Sequence, residues 1–177
     1  MRINLLRSVD RLDRDLEDLL KKLNTFDDIT LNQKPAPDVW SPMQILLHLH
    51  LSEKLSLAYV QKKLSFDPEV NGAGLFNQLK SMALRLALWS PIRFAAARGV
   101  GNDVLPARGS FEQVSEDWLA QRAILRTYME GLDAKWMDKV VYKHPYVGKL
   151  SLGQMLDFFN AHFHRHQHQI LERLPQS

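Results

Sequence analysis

The 177-residue chain contains no cysteine. That absence removes disulfides, thiolate metal sites and a cysteine nucleophile together, so any metal must be held by nitrogen and oxygen. Long apolar runs are missing as well, and no stretch approaches the roughly 20 residues of a membrane-spanning helix. The opening "MRINLLRSVDRLDRDLEDLL" is charged and amphipathic throughout, without the apolar core of a secretory signal, so a cytoplasmic protein is expected. Neither sign of charge dominates: 23 Lys and Arg against 20 Asp and Glu leave only +3. The one local concentration is Lys80, Arg85, Arg93, Arg98 and Arg108, with Asp103 alone opposing them and Trp89 and Phe94 among them. Such a stretch can touch nucleic acid or an anionic membrane, yet no helix-turn-helix or zinc-finger spacing accompanies it. A solvated helix face plus a loop is the expected reading, with neither nucleic acid nor membrane as a partner. Repeats and low-complexity segments are absent, and the length suits one domain, residues 1–177, with a core of its own.

Helical signals fill most of what remains. Residues 1–23 place Ile3, Leu5, Leu6, Val9, Leu12, Leu16, Leu19, Leu20 and Leu23 at three- and four-residue steps. Ser41-Pro-Met-Gln44, Ser110-Phe-Glu-Gln113 and Ser151-Leu-Gly-Gln154 each match the capping box, in which Ser takes the N3 amide and Gln reaches back. Pro42 adds a residue whose missing N–H costs nothing at a first helical position. These signals predict helices over about Pro42 to Leu64, Phe111 to Glu130 and Leu152 to Leu174. A further segment, about Ala73 to Leu88, stops near Pro91. "RGVGNDVLPARG" reads as loop, and "DAKWMDKVVYKHPYVGKL" as turn-rich with a short extended piece at Val140 to Tyr142. The fold class is therefore all-α: an antiparallel four-helix bundle with an extra helical segment and irregular connections.

Histidine is the residue of interest, because four of the seven fall in "NAHFHRHQHQILERL" near the C-terminus. At about 100° per residue, Leu152, Met155, Leu156, Phe159, Phe163, Ile170 and Leu174 define one apolar stripe. His166 lies about 40° from its middle and His162 about 80°, whereas His164 and His168 lie about 120° and 160° away. The run is two i,i+4 pairs on different faces, which a purification tag would not show. His162 and His166 are one turn apart, close enough for two imidazoles to share an ion, although Phe163 stands where H-E-x-x-H has its glutamate. Two histidines alone are also compatible with ordinary hydrogen bonding at a core border. A metal site needs a third ligand.

The candidates are His48, His50 and His144. His144 precedes Pro145 in a turn, where exposure or a structural hydrogen bond is expected. On the second long helix, Gln44, His48, Leu51, Leu55 and Tyr59 share one stripe, and His50 is rotated about 200° from His48. Apolar residues surround this helix, so it is expected to be central, and periodicity does not force the choice of His48. No general base stands out. Glu53 is rotated about 140° off the His48 stripe and reads as a surface salt bridge, and Gln44 is accounted for by capping. Gln169, one turn after His166, can meet either a bound substrate or a histidine N–H. Tyr59 reads as core. Trp40, Trp89, Trp118 and Trp136 read as packing residues, and Trp136 and Tyr142 are near enough in sequence to line a pocket mouth.

Two segments carry a family resemblance. "VWSPMQILLHLHLSE" resembles the second-helix signature of the DinB-like family, W-S-x-x-x-[IL]-[LV]-x-H-[LV], with His48 at the motif histidine. "HPYVGKLSLGQMLDFFNAHFHRHQHQI" resembles that family's C-terminal half, with His162, His166, Gln169 and Ile170 at H-x-x-x-H-x-x-Q-I. The resemblance implies a four-helix bundle with His48, His162 and His166 holding one divalent metal. Zinc and nickel both suit imidazole. It further implies a metal-dependent hydrolase, or a thiol S-transferase or isomerase working with a low-molecular-weight thiol such as bacillithiol or mycothiol. A small-molecule substrate and a homodimer belong to the same expectation. The family name comes from gene induction by DNA damage and implies no DNA binding. Crowding in "HFHRHQH" offers His164 or His168 as substitute ligands, against which their facing counts. The alternative from another functional class is a non-enzymatic bundle that binds a small ligand or a protein partner, its metal absent or structural.

Overall fold

The computed structural model describes residues 1–90 and 96–175, and there the chain is mostly helical. Helix α1 covers Arg2–Leu23, α2 Asp28–Asn32, α3 Pro42–Leu64, α4 Leu75–Trp89, α5 Phe111–Gly131 and α6 Leu152–Glu172. Between α5 and α6 lie a 3-10 turn, Ala134–Trp136, and an antiparallel hairpin of β1, Tyr142–His144, with β2, Gly148–Leu150. Arg93 and Phe94 of the basic stretch, and the stop at Pro91, lie outside the described residues.

Start signals account for the helix positions. Ser41 Oγ accepts from the Gln44 N–H at 3.1 Å and Gln44 Oε1 accepts from the Ser41 N–H at 3.2 Å, closing the capping box of α3. Ser151 and Gln154 do the same for α6, at 3.3 and 2.9 Å. At α5 the box is half made. Ser110 Oγ accepts from the Gln113 N–H at 3.5 Å, but the Gln113 amide turns away to donate to Asp117 at 3.0 Å. The extended piece falls at 142–144 rather than at 140–142, and it exists because Gly148–Leu150 pairs with it. Helix α2 is too short to show a period, so sequence patterning does not reveal it. Asp27 caps it through the Thr30 N–H at 2.8 Å, and Asn32 clasps both amide groups of Gly109 at the approach to α5.

Packing follows from which face is apolar. Helix α1 packs on α5 and α6, α3 packs on the same two helices, and α4 lies against the outside of α6. The core has two halves. Leu5, Val9 and Leu12 meet Leu57, Val60, Leu125, Met129 and Leu152–Phe159 at one end. Leu16 to Leu23 meet Met43–Leu49, Val114, Trp118, Phe163 and Ile170 at the other. Each fully buried Leu, Ile or Phe contributes about 1.5–3 kcal/mol relative to exposure. These sets fix the helix directions: α1 and α6 run one way and α3 and α5 the other. The neighbours α1/α5 and α3/α6 are thus antiparallel, but α1/α6 and α3/α5 are parallel. The expectation of antiparallel packing holds for half of the contacts. Parallel neighbours need a long crossover, and residues 65–110 between α3 and α5 supply one.

Helix α3 is central, as its surrounding apolar residues suggest. It buries Ile45, Leu46, Leu49, Leu57 and Val60 together with His48, His50, Ser52, Glu53 and Ser56. The stripe from Gln44 to Tyr59 does not stay inside. Leu55 and Tyr59 emerge to 46% and 39% exposure, so Tyr59 is not a core residue.

Candidate metal centre

Helix α3 delivers His48 to the face of α6 that carries His162 and His166. One nitrogen from each ring lies within 4.8 Å of the other two. His48 Nε2 and His162 Nε2 are 3.2 Å apart. Two ligands at about 2.05 Å from a tetrahedral zinc are separated by about 3.3 Å, so this spacing suits a shared ion. The rings stand edge to face, with centroids 5.0 Å apart for His48–His162 and His48–His166 and 4.6 Å apart for His162–His166.

Tautomers follow from the outer partners. His48 Nδ1 is 2.6 Å from the Val100 carbonyl oxygen, which can only accept, so Nδ1 carries the proton and Nε2 is bare. His166 Nδ1 is 2.8 Å from Gln169 Oε1, which leaves its Nε2 bare in the same way. These are the outer contacts that orient metal-ligating imidazoles. Aromatic rings pack the remaining sides. Trp40 lies 5.0 Å from His48, and Phe158 stacks on His162 at 5.1 Å and 18°. His48 is buried, while His162 and His166 are half-buried.

Burial also keeps the rings neutral, as ligands must be. Desolvation, reinforced by His166, His48, His144 and Arg165, holds His162 well below the usual imidazole range. Desolvation and the nearby His48 push His166 down to about 3 against the opposing Gln169 contact. Desolvation lowers His48 as well, with the Val100 carbonyl opposing it. Three neutral nitrogen donors that converge on one point fit a divalent ion of borderline softness.

The other histidines are elsewhere. His50 points to the α5 side of α3, its ring 6.3 Å from that of Trp118. His144 is buried, and its Nδ1 accepts from the Tyr146 and Val147 N–H groups at 3.2 and 3.4 Å. It serves the hairpin turn. His164 faces Asp15 at 3.3 Å, and exposed His168 faces Glu172 at 3.3 Å. Both sit on the faces that helical geometry assigns them, outside the cluster.

The structure departs from expectation at three places. Glu53 is not a surface residue: it is 2% exposed and bound to Trp118 and Arg122 of α5. Among the tryptophans Trp118 is fully buried, but Trp89 is 70% exposed, and Trp40 covers His48 rather than merely filling space. Trp136 lines an open cavity of about 510 Å³ with Val70, Lys135 and Lys139, and none of the three histidines borders it. Tyr142 is buried, with its hydroxyl 3.0 Å from Ser56 Oγ. Sequence reasoning missed Val100, because a backbone carbonyl carries no residue signal. Phe158 was passed over too, although its place one helical turn before His162 is a signal that could have found it.

Acid should destabilise the metal-free protein. In the unfolded chain His144 and His166 take up protons near pH 6.5. Folded, burial holds them neutral until about pH 4 and about pH 3 respectively. The folded state binds fewer protons, so the stability present above pH 6.5 is lost as pH falls toward those values. At about 1.4 kcal/mol per pH unit, His144 alone accounts for roughly 3 kcal/mol between pH 6.5 and 4. Urea melts in the presence of chelator should show a lower midpoint at pH 5 than at pH 7. Equal midpoints would sink this account.

The family model described as the DinB superfamily matches residues 11–170. No curated protein matches the chain.

Proposed function

The chain belongs to the DinB superfamily, and on that premise we propose that it is a metal-dependent enzyme whose one divalent ion is held by His48, His162 and His166. The observation that carries this reading is the convergence of three ring nitrogens from α3 and α6 within 4.8 Å, two of them with Nδ1 already committed to a carbonyl oxygen. A zinc or nickel ion held there would supply Lewis-acid chemistry, which a hydrolase uses to activate water and a thiol S-transferase to activate a low-molecular-weight thiol.

The chain's own residues set the conditions. Among the described residues, the donor cluster contains no carboxylate, so the ligands contribute no negative charge. Val100 and Gln169 fix the ring planes of His48 and His166. Trp40 and Phe158 shield two sides from water, and the partial exposure of His162 and His166 gives a small-molecule substrate its approach. Glu53 is not a base for this site, because both of its oxygens are held by Arg122 and Trp118. We read the four long helices as a four-helix bundle in one domain, residues 1–177, that works in the cytoplasm without nucleic acid or membrane; no described helix is long and apolar enough to cross one.

Elemental analysis of untagged protein tests the metal. About one divalent ion per chain is expected. Replacing His48, His162 or His166 with Ala should lower occupancy at least tenfold, while His164→Ala and His168→Ala should not. Normal metal content in the triple-alanine variant ends the reading. Activity is then sought with nitrophenyl esters and with bacillithiol plus an aryl halide. Metal-loaded protein inert in both assays points to the non-enzymatic alternative.

The homodimer has a candidate surface. Helix α4 turns Leu75, Phe76, Leu79, Met82, Leu86 and Trp89 outward at 54–79% exposure, one apolar stripe at three- and four-residue steps. At roughly 200 Å² for each of the six side chains, about two-thirds of it exposed, the stripe approaches the about 800 Å² that each partner buries in a standard interface. A two-fold pairing of α4 with α4 places the same stripe on both sides. Leu79→Glu with Leu86→Glu should turn a sedimenting dimer into a monomer and leave metal content unchanged. A wild-type monomer at high micromolar concentration would remove the proposal.

A further inference from the structure

The segment between α4 and α5 reads as loop from its glycines and proline, yet it docks on the metal centre at three points. The Val100 carbonyl meets His48, Asn102 Oδ1 accepts from Trp40 Nε1, and the Pro106 carbonyl accepts from the Gln44 amide at 3.3 Å. The turn that presents Val100 has a specific construction. Gly99 adopts φ +87°, a conformation that side chains disfavour. A Cβ on Gly101 would stand 3.0 Å from the Ala96 Cβ, so the backbone there approaches closely. One carboxylate closes the turn: Asp103 Oδ2 accepts from the Gly99 N–H at 2.7 Å and Oδ1 from the Gly101 N–H at 3.3 Å.

The Gly101 N–H and the Val100 C=O are opposite ends of one peptide plane. A carboxylate that accepts at the N–H end makes the carbonyl end a stronger acceptor, and that end takes the His48 proton. The order is carboxylate, peptide, imidazole, then the bare Nε2 that faces His162. Metal-ligating histidines commonly bond a carboxylate directly. Here a peptide stands between the two.

We propose that Asp103 is a positioning residue for the metal centre, acting through the Val100–Gly101 peptide to hold His48 with Nδ1 protonated and Nε2 free to ligate. This rests on the three-histidine reading for its functional meaning, but not for its test. Imidazole ¹⁵N NMR on chelated protein reads the tautomer without metal, and titration with Zn²⁺ alone reads the affinity. Wild type should show His48 in a single tautomer with a bare Nε2. Asp103→Ala should populate both tautomers and weaken zinc binding about ten- to a hundredfold. Asp103→Asn retains one acceptor oxygen and should fall between the two.

A merely structural role would lower the melting temperature of Asp103→Ala and leave the tautomer and the zinc Kd at wild-type values. That result overturns the proposal. Equal loss of affinity in both variants with no change of tautomer would assign the effect to net charge and overturn it as well. If wild type binds no zinc, the three-histidine reading fails, and the tautomer ratio alone decides the role of Asp103.

Discussion

Replacing Glu53 with Ala should destabilise the protein by about 3–5 kcal/mol, the cost of breaking a buried ion pair and stranding one partner. Glu53 and Arg122 are both 2% exposed. Arg122 donates from Nε to Oε2 at 2.7 Å and from Nη2 to Oε1 at 2.8 Å, and the Trp118 indole N–H donates to Oε2 at 3.0 Å. Without the carboxylate, the guanidinium keeps, among the described residues, Asp13 of α1, 3.4 Å from Nη1, and the face of the Trp118 ring. Whole-domain stability is typically about 5–15 kcal/mol, so this one change takes a large share of it. Replacing both partners with apolar residues, as in Glu53→Leu with Arg122→Met, should cost less than Glu53→Ala alone, because no charge is left buried. Urea denaturation measures each variant. A loss under about 1 kcal/mol for Glu53→Ala would show that the pair is solvated in solution.

Chelation should lower the melting temperature without abolishing helical circular dichroism. The two core halves join all four long helices through apolar contacts, so folding should not require an ion. Metal that binds only the folded state adds RT ln(1 + [L]/Kd), about 4 kcal/mol at a thousandfold excess over Kd. Metal-restored protein should regain both the melting temperature and any hydrolase or transferase activity. Loss of helicity on chelation would make the site a structural staple. Activity that survives complete chelation would replace the metal-dependent reading.

The elements that were legible in the sequence are those with a local cause. Ser41 and Ser151 mark their helices because a capping box is a contact within four residues. His162 and His166 separate from His164 and His168 because helical rotation alone decides their faces. What was hidden depends on partners distant in the chain. Glu53 reads as a surface acid until Arg122, 69 positions later, is seen beside it. β1 shifts by two residues because its position is set by Gly148–Leu150 rather than by its own composition. His48 was separated from His50 only by the family signature, since α3 is buried on several sides and its apolar pattern has no single face. Helix directions were illegible for a similar reason, because they depend on where residues 65–110 carry the chain between α3 and α5, which no local pattern records.

Those directions also bear on how the molecule assembles. His48 and His162 are 114 positions apart, and the parallel contact of α1 with α6 joins the first long helix to the last. Contacts this remote raise the contact order and slow folding relative to a bundle whose sequential neighbours simply pair. Closing so long a loop costs entropy that only the formed core can offset. On a ribosome, α6 emerges last of the four long helices. The three-histidine cluster therefore cannot form before α6 is made, and neither can the core half that needs Phe163 and Ile170.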